Sequence, residues 1–273
     1  MEQNKIKTVV ITGSARGFGF EMAKCFRKNN FNVVLSDVNE QNLLKAEKSL
    51  NEIESNAKVI SEVCNVTNHD QLEALWKKAS EFGGGVDIWI NNAGVNQPDK
   101  PIYLLTQAEV DFLVDIDLKG SIYGSKIAFA HMKEQGYGQI YNVEGYGSND
   151  AMMLGLSLYG TTKRAITYFT QALAKESKTL KLNVNVCRLT PGIMITDFIK
   201  NANGDKTKIE LPEKTKKVYN ILGDYASTIA NYVVPKMIKN KKNNKKVVWL
   251  TNRRAFCRFM FAGFNKRDFF SEK

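Results

Sequence analysis

Apolar and polar positions follow two rhythms along this chain, and the rhythms take turns. Lys7-Thr8-Val9-Val10-Ile11-Thr12 is a β-branched run with almost no polar interruption, the pattern of a buried strand. A helically spaced stretch from about Gly19 to Lys28 follows it. Residues 32–37, 59–63 and 86–90 repeat the strand rhythm. Residues 39–54, with Leu43, Leu44, Ala46, Leu50 and Ile53 near one face, and residues 68–82 repeat the helical one. The alternation continues with helices at about 107–133 and 158–178 and strands at 139–143, 183–188 and 247–250. Strand–helix–strand units with short connections build right-handed crossovers around a parallel sheet. The predicted fold class is therefore α/β, a doubly wound parallel sheet of Rossmann type. Residues 193–224 lose the rhythm at Asn201, Asn203, Gly204 and Pro212, and read as a mobile substrate loop with short helices.

Composition narrows the class. Hydrophobic residues make up 43% and charged residues 25% of the 273, the balance of a globular protein, and no apolar run is long enough to span a bilayer. Met1 to Lys5 is polar and leads straight into the first strand, so no signal peptide is read. Cys25, Cys64, Cys187 and Cys257 form no C-x-x-C pair, and with only His69 and His131 beside them no metal-ligand set is expected. Free thiols and a cytoplasmic location follow as expectations, with attachment to a membrane surface as a second reading. The net charge is +11, but residues 236–273 hold twelve Lys or Arg against Asp268 and Glu272. The basic character thus belongs to the C-terminal segment, which argues against a nucleic-acid partner for the fold as a whole.

The chemistry-bearing residues lie at the ends of predicted strands. The first turn reads Thr12-Gly13-Ser14-Ala15-Arg16-Gly17-Phe18-Gly19. Glycines there let the backbone approach a pyrophosphate, and the following helix offers it free N–H groups. Asp37 ends the second strand, where a carboxylate binds both adenosine ribose hydroxyls and repels a 2′-phosphate. That favours NAD(H); Arg16, a cation in the same loop, argues more weakly for NADP(H). Asp37 also reads as a cap for the next helix. Tyr159 and Lys163 are four residues apart and share a helix face. A phenol is a poor base at neutral pH. The neighbouring ammonium and a positive nicotinamide ring are expected to lower its pKa, so that Tyr159 exchanges a proton with an alcohol or ketone.

In that order these residues, with Asn91-Asn92-Ala93-Gly94 and Pro191-Gly192 followed by Thr196, resemble the short-chain dehydrogenase/reductase family. The resemblance implies one Rossmann-type domain with seven strands over residues 1–250, followed by a separate amphipathic segment at 251–273. It implies that Asn92, Ala93 and Gly94 lie near the adenosine and ribose, that Pro191, Gly192, Ile193 and Thr196 meet the nicotinamide, and that Lys163 holds the nicotinamide ribose. Asn65-Val66 stands where the family has Asp-Val beside the adenine. A homodimer or homotetramer is implied as well.

Two positions depart from the family pattern. Its serine, about thirteen residues before the tyrosine, has no counterpart in Asn142-Val143-Glu144-Gly145-Tyr146-Gly147-Ser148. Ser148 is the preferred substitute and Tyr146 the second candidate; such a donor stabilises developing charge on the substrate oxygen. Asp117 replaces the usual asparagine, and a carboxylate near Lys163 would keep the lysine charged and partly cancel its pull on Tyr159. Glu144-Gly145-Tyr146-Gly147-Ser148 with Tyr159-Gly160-Thr161-Thr162-Lys163 is locally similar to the chlorophyll b reductase subgroup. The expected activity is NAD(H)-dependent interconversion of a secondary alcohol and a ketone on an apolar substrate such as a steroid, lipid or polycycle. The rival is a dinucleotide-binding redox sensor or scaffold that has lost turnover. Residues 252–264 read as an amphipathic helix with Phe256, Phe259, Met260 and Gly263 on one face. Packing of those aromatics on the domain or on a neighbouring subunit is expected, with peripheral membrane contact through 252–270 as the alternative.

Overall fold

β1 (Thr8–Thr12) is buried at all five positions. Its side chains alternate between two layers, Val9 and Ile11 into one and Val10 into the other. A strand covered on both faces needs an unbroken apolar run, which is what the sequence supplies. In this computed structural model the described residues are 5–98, 100–195, 213–264 and 267–270.

Six more strands join β1: β2 (Asn32–Asp37), β3 (Val59–Val63), β4 (Ile88–Asn91), β5 (Gly138–Val143), β6 (Val184–Thr190) and β9 (Lys246–Val248). Their order is β3-β2-β1-β4-β5-β6-β9, and every neighbouring pair is parallel. The order reverses between β1 and β4, so the loops leaving these strands diverge and open a crevice. β7 (Met194–Ile195) and β8 (Asp224–Tyr225) form a separate parallel pair. The predicted seven-stranded Rossmann-type α/β sheet is the fold observed.

One layer contains α1 (Gly17–Lys28), α2 (Glu40–Asn51) and α8 (Ala226–Ile238), packed through Met22, Phe26, Leu43, Leu50, Ile229 and Val233. The other contains α3 (His69–Gly83), α5 (Gly120–Gln135) and α6 (Ser157–Thr179), packed through Leu72, Trp76, Ile127, Met132 and Leu173. Each fully buried aliphatic side chain contributes about 1.5–3 kcal/mol. Asn39 and Asn68 cap α2 and α3 by accepting from Asn42 N–H and Gln71 N–H. The cap of α2 is therefore Asn39, not Asp37.

The long helix expected at 107–133 is α4 (Gln107–Leu113), a π-helical stretch over Val114–Lys119 and then α5, running on without a break. Of the irregular 193–224 stretch, the described part holds β7, α7 (Glu213–Leu222) and β8. Thr196 and most of the expected mobile loop lie outside the described residues. α9 (Asn252–Met260) follows β9 and packs on α7.

Candidate active site

The loop after β1 is shaped by its glycines. Gly13 has φ +61°, and a Cβ there would lie 2.7 Å from Ala93 Cα. A Cβ on Gly19 would lie 2.4 Å from the Gly13 carbonyl oxygen. Gly17 has φ +59° and faces open space. Arg16 precedes the first turn of α1 without a side-chain cap, so the helix presents its N–H groups outward at Gly17. These features fit a pyrophosphate. Asn92 clamps the loop by donating to the Thr12 and Gly13 carbonyl oxygens at 3.0 and 2.9 Å. Thr12 Oγ1 accepts from Asn92 and Ala93 N–H.

Several of the expected binding residues have side chains engaged within the fold. Ser14 Oγ is fully buried, donates to the Ile11 carbonyl oxygen and accepts from Ser36 N–H, so its hydroxyl joins β1 to β2. The Phe18 side chain is in the core. Val66 is buried against Gly120, and the exposed Asn65 uses its side-chain oxygen to accept from Thr67. Asp37 stands beside the phosphate loop, with Ala15 N–H donating to it at 3.3 Å and Asn39 N–H at 3.2 Å. Arg16 is exposed. Gly192, with φ +77°, follows the buried Pro191 and lies against Leu250, while the Ile193 carbonyl oxygen accepts from Asp224 N–H.

Tyr159 and Lys163 lie on one face of α6, 8% and 6% exposed, with the Lys163 ammonium 5.3 Å from the Tyr159 ring centre. Asp117 reaches them from the π-helical stretch. Its Oδ2 forms an ion pair with Lys163 Nζ at 2.8 Å, and its Oδ1 accepts from Val95 N–H at 2.7 Å. Gly94 completes the contact, because a Cβ there would be 3.2 Å from Asp117 and 3.6 Å from Lys163. Burial opposes the charge on Lys163, but the Asp117 carboxylate and Tyr159 hold its pKa above the ordinary value. Burial raises the Tyr159 pKa; Lys163 pulls it down, and Asp117 and Tyr219 push it back up. In the protein itself the phenol is thus held protonated, whereas the sequence reading expected Lys163 and the nicotinamide together to lower it.

The two hydroxyls expected to stand in for the missing serine both have partners within the protein. Ser148 Oγ is buried, accepts from Gly145 N–H at 3.2 Å and donates to the Lys163 carbonyl oxygen at 3.3 Å, so it braces the loop on α6. The Tyr146 hydroxyl donates to the Met152 carbonyl oxygen. A Cβ on Gly145 would lie 2.3 Å from the Tyr159 hydroxyl oxygen. Glu144 turns inward, accepting from Thr167 and Thr190 hydroxyls and pairing with Lys246 at 3.2 Å.

Gln97 is a site residue that sequence reasoning missed. Its side chain is fully buried, and its Oε1 accepts from Leu158 N–H at 2.9 Å and Tyr159 N–H at 3.1 Å. α6 has no cap of its own at Leu156, so a residue from the loop after β4 caps the helix that carries Tyr159. Gln97→Leu is expected to cost about 1–2 kcal/mol in urea unfolding, because it removes the acceptor of two helix N–H groups. An unchanged midpoint in the leucine variant would refute this role. A buried chain from Trp89 through Asn91, Ser125 and Asn142 to Thr170 holds β4, β5, α5 and α6 together beneath the site.

Comparison with known proteins places this arrangement. The chain is 28% identical over 283 aligned positions to a probable chloroplastic chlorophyll(ide) b reductase of Oryza sativa subsp. japonica, covering 98% of this chain and 54% of the rice protein. It thus spans about half the length of that relative. It is 30% identical to a diacetyl reductase [(S)-acetoin forming] of Staphylococcus epidermidis, over 75% of this chain and 77% of that protein. The crystal structure of levodione reductase superposes with a TM-score of 0.80 at 26% identity, covering 91% of this chain and 98% of that one. The chloroplastic relative overturns the expectation of a cytoplasmic protein, which rested only on scattered cysteines and a polar start. The model of the short chain dehydrogenase family matches residues 7–207, from β1 past the Pro191-Gly192 turn. Matched in sequence over most of its length and in fold around the same crevice, this chain belongs to the short-chain dehydrogenase/reductase family, oxidoreductases that bind a nicotinamide dinucleotide.

Proposed function

We propose that the protein interconverts a secondary alcohol and a ketone on an apolar substrate, using NAD(H). The observation that carries this reading is the buried Tyr159–Lys163 pair facing the loops that follow β1 and β4. A bound nicotinamide dinucleotide supplies the hydride acceptor or donor. The first turn of α1 around Gly17 suits its pyrophosphate, and Asp37 its adenosine ribose. Tyr159 gives its proton to the ketone oxygen during reduction and takes it back from the alcohol during oxidation. Lys163, kept charged by Asp117, orients the phenol and offers its ammonium to the nicotinamide ribose. Gly145 lets the Tyr159 hydroxyl approach the loop after β5, where any side chain would collide with it. Relatives named for reducing diacetyl and levodione support ketone chemistry, and the chlorophyll(ide) b relative supports a large apolar substrate. Phe112 and Tyr168, exposed on α4 and α6, support assembly as a homodimer or homotetramer.

The test is oxidation of NADH and NADPH over a panel of diacetyl, levodione, a steroid ketone and chlorophyllide b. Turnover by the native protein supports the reading; tight NADH binding without turnover on any ketone supports the sensor or scaffold instead. One observation favours that rival: the Ser148 and Tyr146 hydroxyls donate to the Lys163 and Met152 carbonyl oxygens. For the cofactor, NADH is expected to bind at least about tenfold more tightly than NADPH, and Asp37→Ser to narrow that ratio. Equal binding of the two by the native protein would overturn the role given to Asp37.

A further inference from the structure

α9 is attached to the domain by its charged side. Arg258 donates to Asp224 Oδ2 at 2.6 Å and to the Leu222 carbonyl oxygen at 3.0 Å. Arg267 donates to Asp224 Oδ1 at 3.3 Å and to the Gly223 carbonyl oxygen at 3.1 Å. Arg254 lies over the Trp249 ring at 3.8 Å and over Tyr232 at 4.7 Å. Trp249 Nε1 donates to the same Asp224 at 2.7 Å, so one nearly buried carboxylate gathers an indole and two guanidinium groups. These are charge-assisted contacts on a largely dehydrated acceptor, stronger than ordinary surface pairs.

The consequence is an inverted helix. A surface helix usually buries its apolar stripe and turns its charges to water. Here Phe256, Phe259, Met260, Phe261 and Phe264 are 64%, 49%, 62%, 61% and 85% exposed, and no residue of α9 is buried. The expectation that these aromatics pack on the domain is therefore corrected: the arginines pack and the aromatics face out. A contiguous apolar surface of this kind marks an interaction site.

We propose that this face docks on an anionic lipid bilayer surface. Charge selects that occupant. Exposed Arg253 borders the aromatics on α9, and exposed Lys214 and Lys217 lie on α7, against which α9 packs. Described residues in 213–225, 251–264 and 267–270 together carry a net charge of +4. A second copy of the chain would bring the same positive field to the contact, whereas anionic headgroups neutralise it while aromatic side chains enter the acyl boundary. No helix among the described residues is long and apolar enough to cross a membrane, so the contact is a surface one. The docking itself does not depend on which reaction the site performs.

The test uses the full chain and vesicles of phosphatidylcholine with and without phosphatidylglycerol. Sedimentation is expected to show binding to the anionic vesicles at least about tenfold stronger than to the neutral ones, and weakened by salt. Cys257 is exposed while Cys25, Cys64 and Cys187 are buried, so a polarity-sensitive fluorophore placed on it should report a less polar setting on binding. Phe256→Ser with Phe261→Ser is expected to lose at least about tenfold in vesicle affinity, with thermal unfolding and NADH binding unchanged. Arg253→Glu should weaken binding to anionic vesicles alone. Equal partitioning of the native and double-serine proteins would overturn the proposal. So would a native oligomer that the double-serine change converts to monomer, because the face would then be covered by a second copy.

Discussion

Tyr159→Phe is expected to lower the turnover of ketone reduction by about 10²–10⁴-fold while leaving dinucleotide affinity unchanged. The ring is 8% exposed and packed within the site, so phenylalanine keeps its shape and removes only the oxygen that lies against Gly145. The Lys163–Asp117 pair survives the change, and so do the loop glycines and Asp37 that would hold the dinucleotide. A defect confined to turnover is therefore the signature of a lost proton-transfer group. Steady-state kinetics on whichever ketone proves active, combined with NADH titration by fluorescence, separates the outcomes. A variant that retains turnover within a few-fold would remove Tyr159 from the chemistry. A variant that no longer binds NADH would make its role structural.

Asp117→Asn is expected to destabilise the fold by about 3–5 kcal/mol at neutral pH, the cost of leaving a buried ammonium without its counter-charge. Asparagine still accepts from Val95 N–H, so the loss isolates the charge. The pH dependence has a definite sign. Lys163 and Tyr159 both have pKa values raised above their ordinary 10.5 and 10.0. Groups raised on folding contribute stability that is fully present below the unfolded-state values and lost as pH climbs through the folded-state ones. Asp117 raises both, so the penalty of removing it is greatest near neutrality and shrinks above about pH 10. The same change lowers the phenol pKa and moves the acid limb of alcohol oxidation, and the alkaline limb of ketone reduction, toward lower pH. Urea midpoints at several pH values and a pH–rate profile measure both effects. Superimposable curves for native and variant proteins would show that the carboxylate has no such influence.

The sheet was legible in the sequence because its causes are local. Val9, Val10 and Ile11 need no partner to declare a strand covered on both sides. Gly13, Gly17 and Gly19 declare a turn that other residues would strain or block. The spacing of Tyr159 and Lys163 places them on one face without knowledge of the rest. Gln97 was invisible because it acts on N–H groups 61 and 62 positions away. The surroundings of Ser148 are illegible for a related reason: composition shows that a hydroxyl is present, but its partners depend on how the turn from Gly145 closes onto α6. The C-terminal stripe was recognised as two-faced, yet periodicity does not say which face turns inward. That was decided by Asp224, an isolated carboxylate with no pattern around it, drawing the arginines in.

The inward-facing Glu144 bears on the order in which the chain takes shape. β9 joins the sheet through only three residue pairs, yet Lys246 on that strand supplies the cation for a carboxylate seated in the loop after β5. During synthesis the dinucleotide-binding half emerges from the ribosome more than a hundred residues before Lys246 does. A nascent chain stalled ahead of β9 would already possess Tyr159 and Lys163, but its loop would hold an unneutralised buried acid. Neutralisation of that acid thus waits for β9, well after Tyr159 and Lys163 have been made.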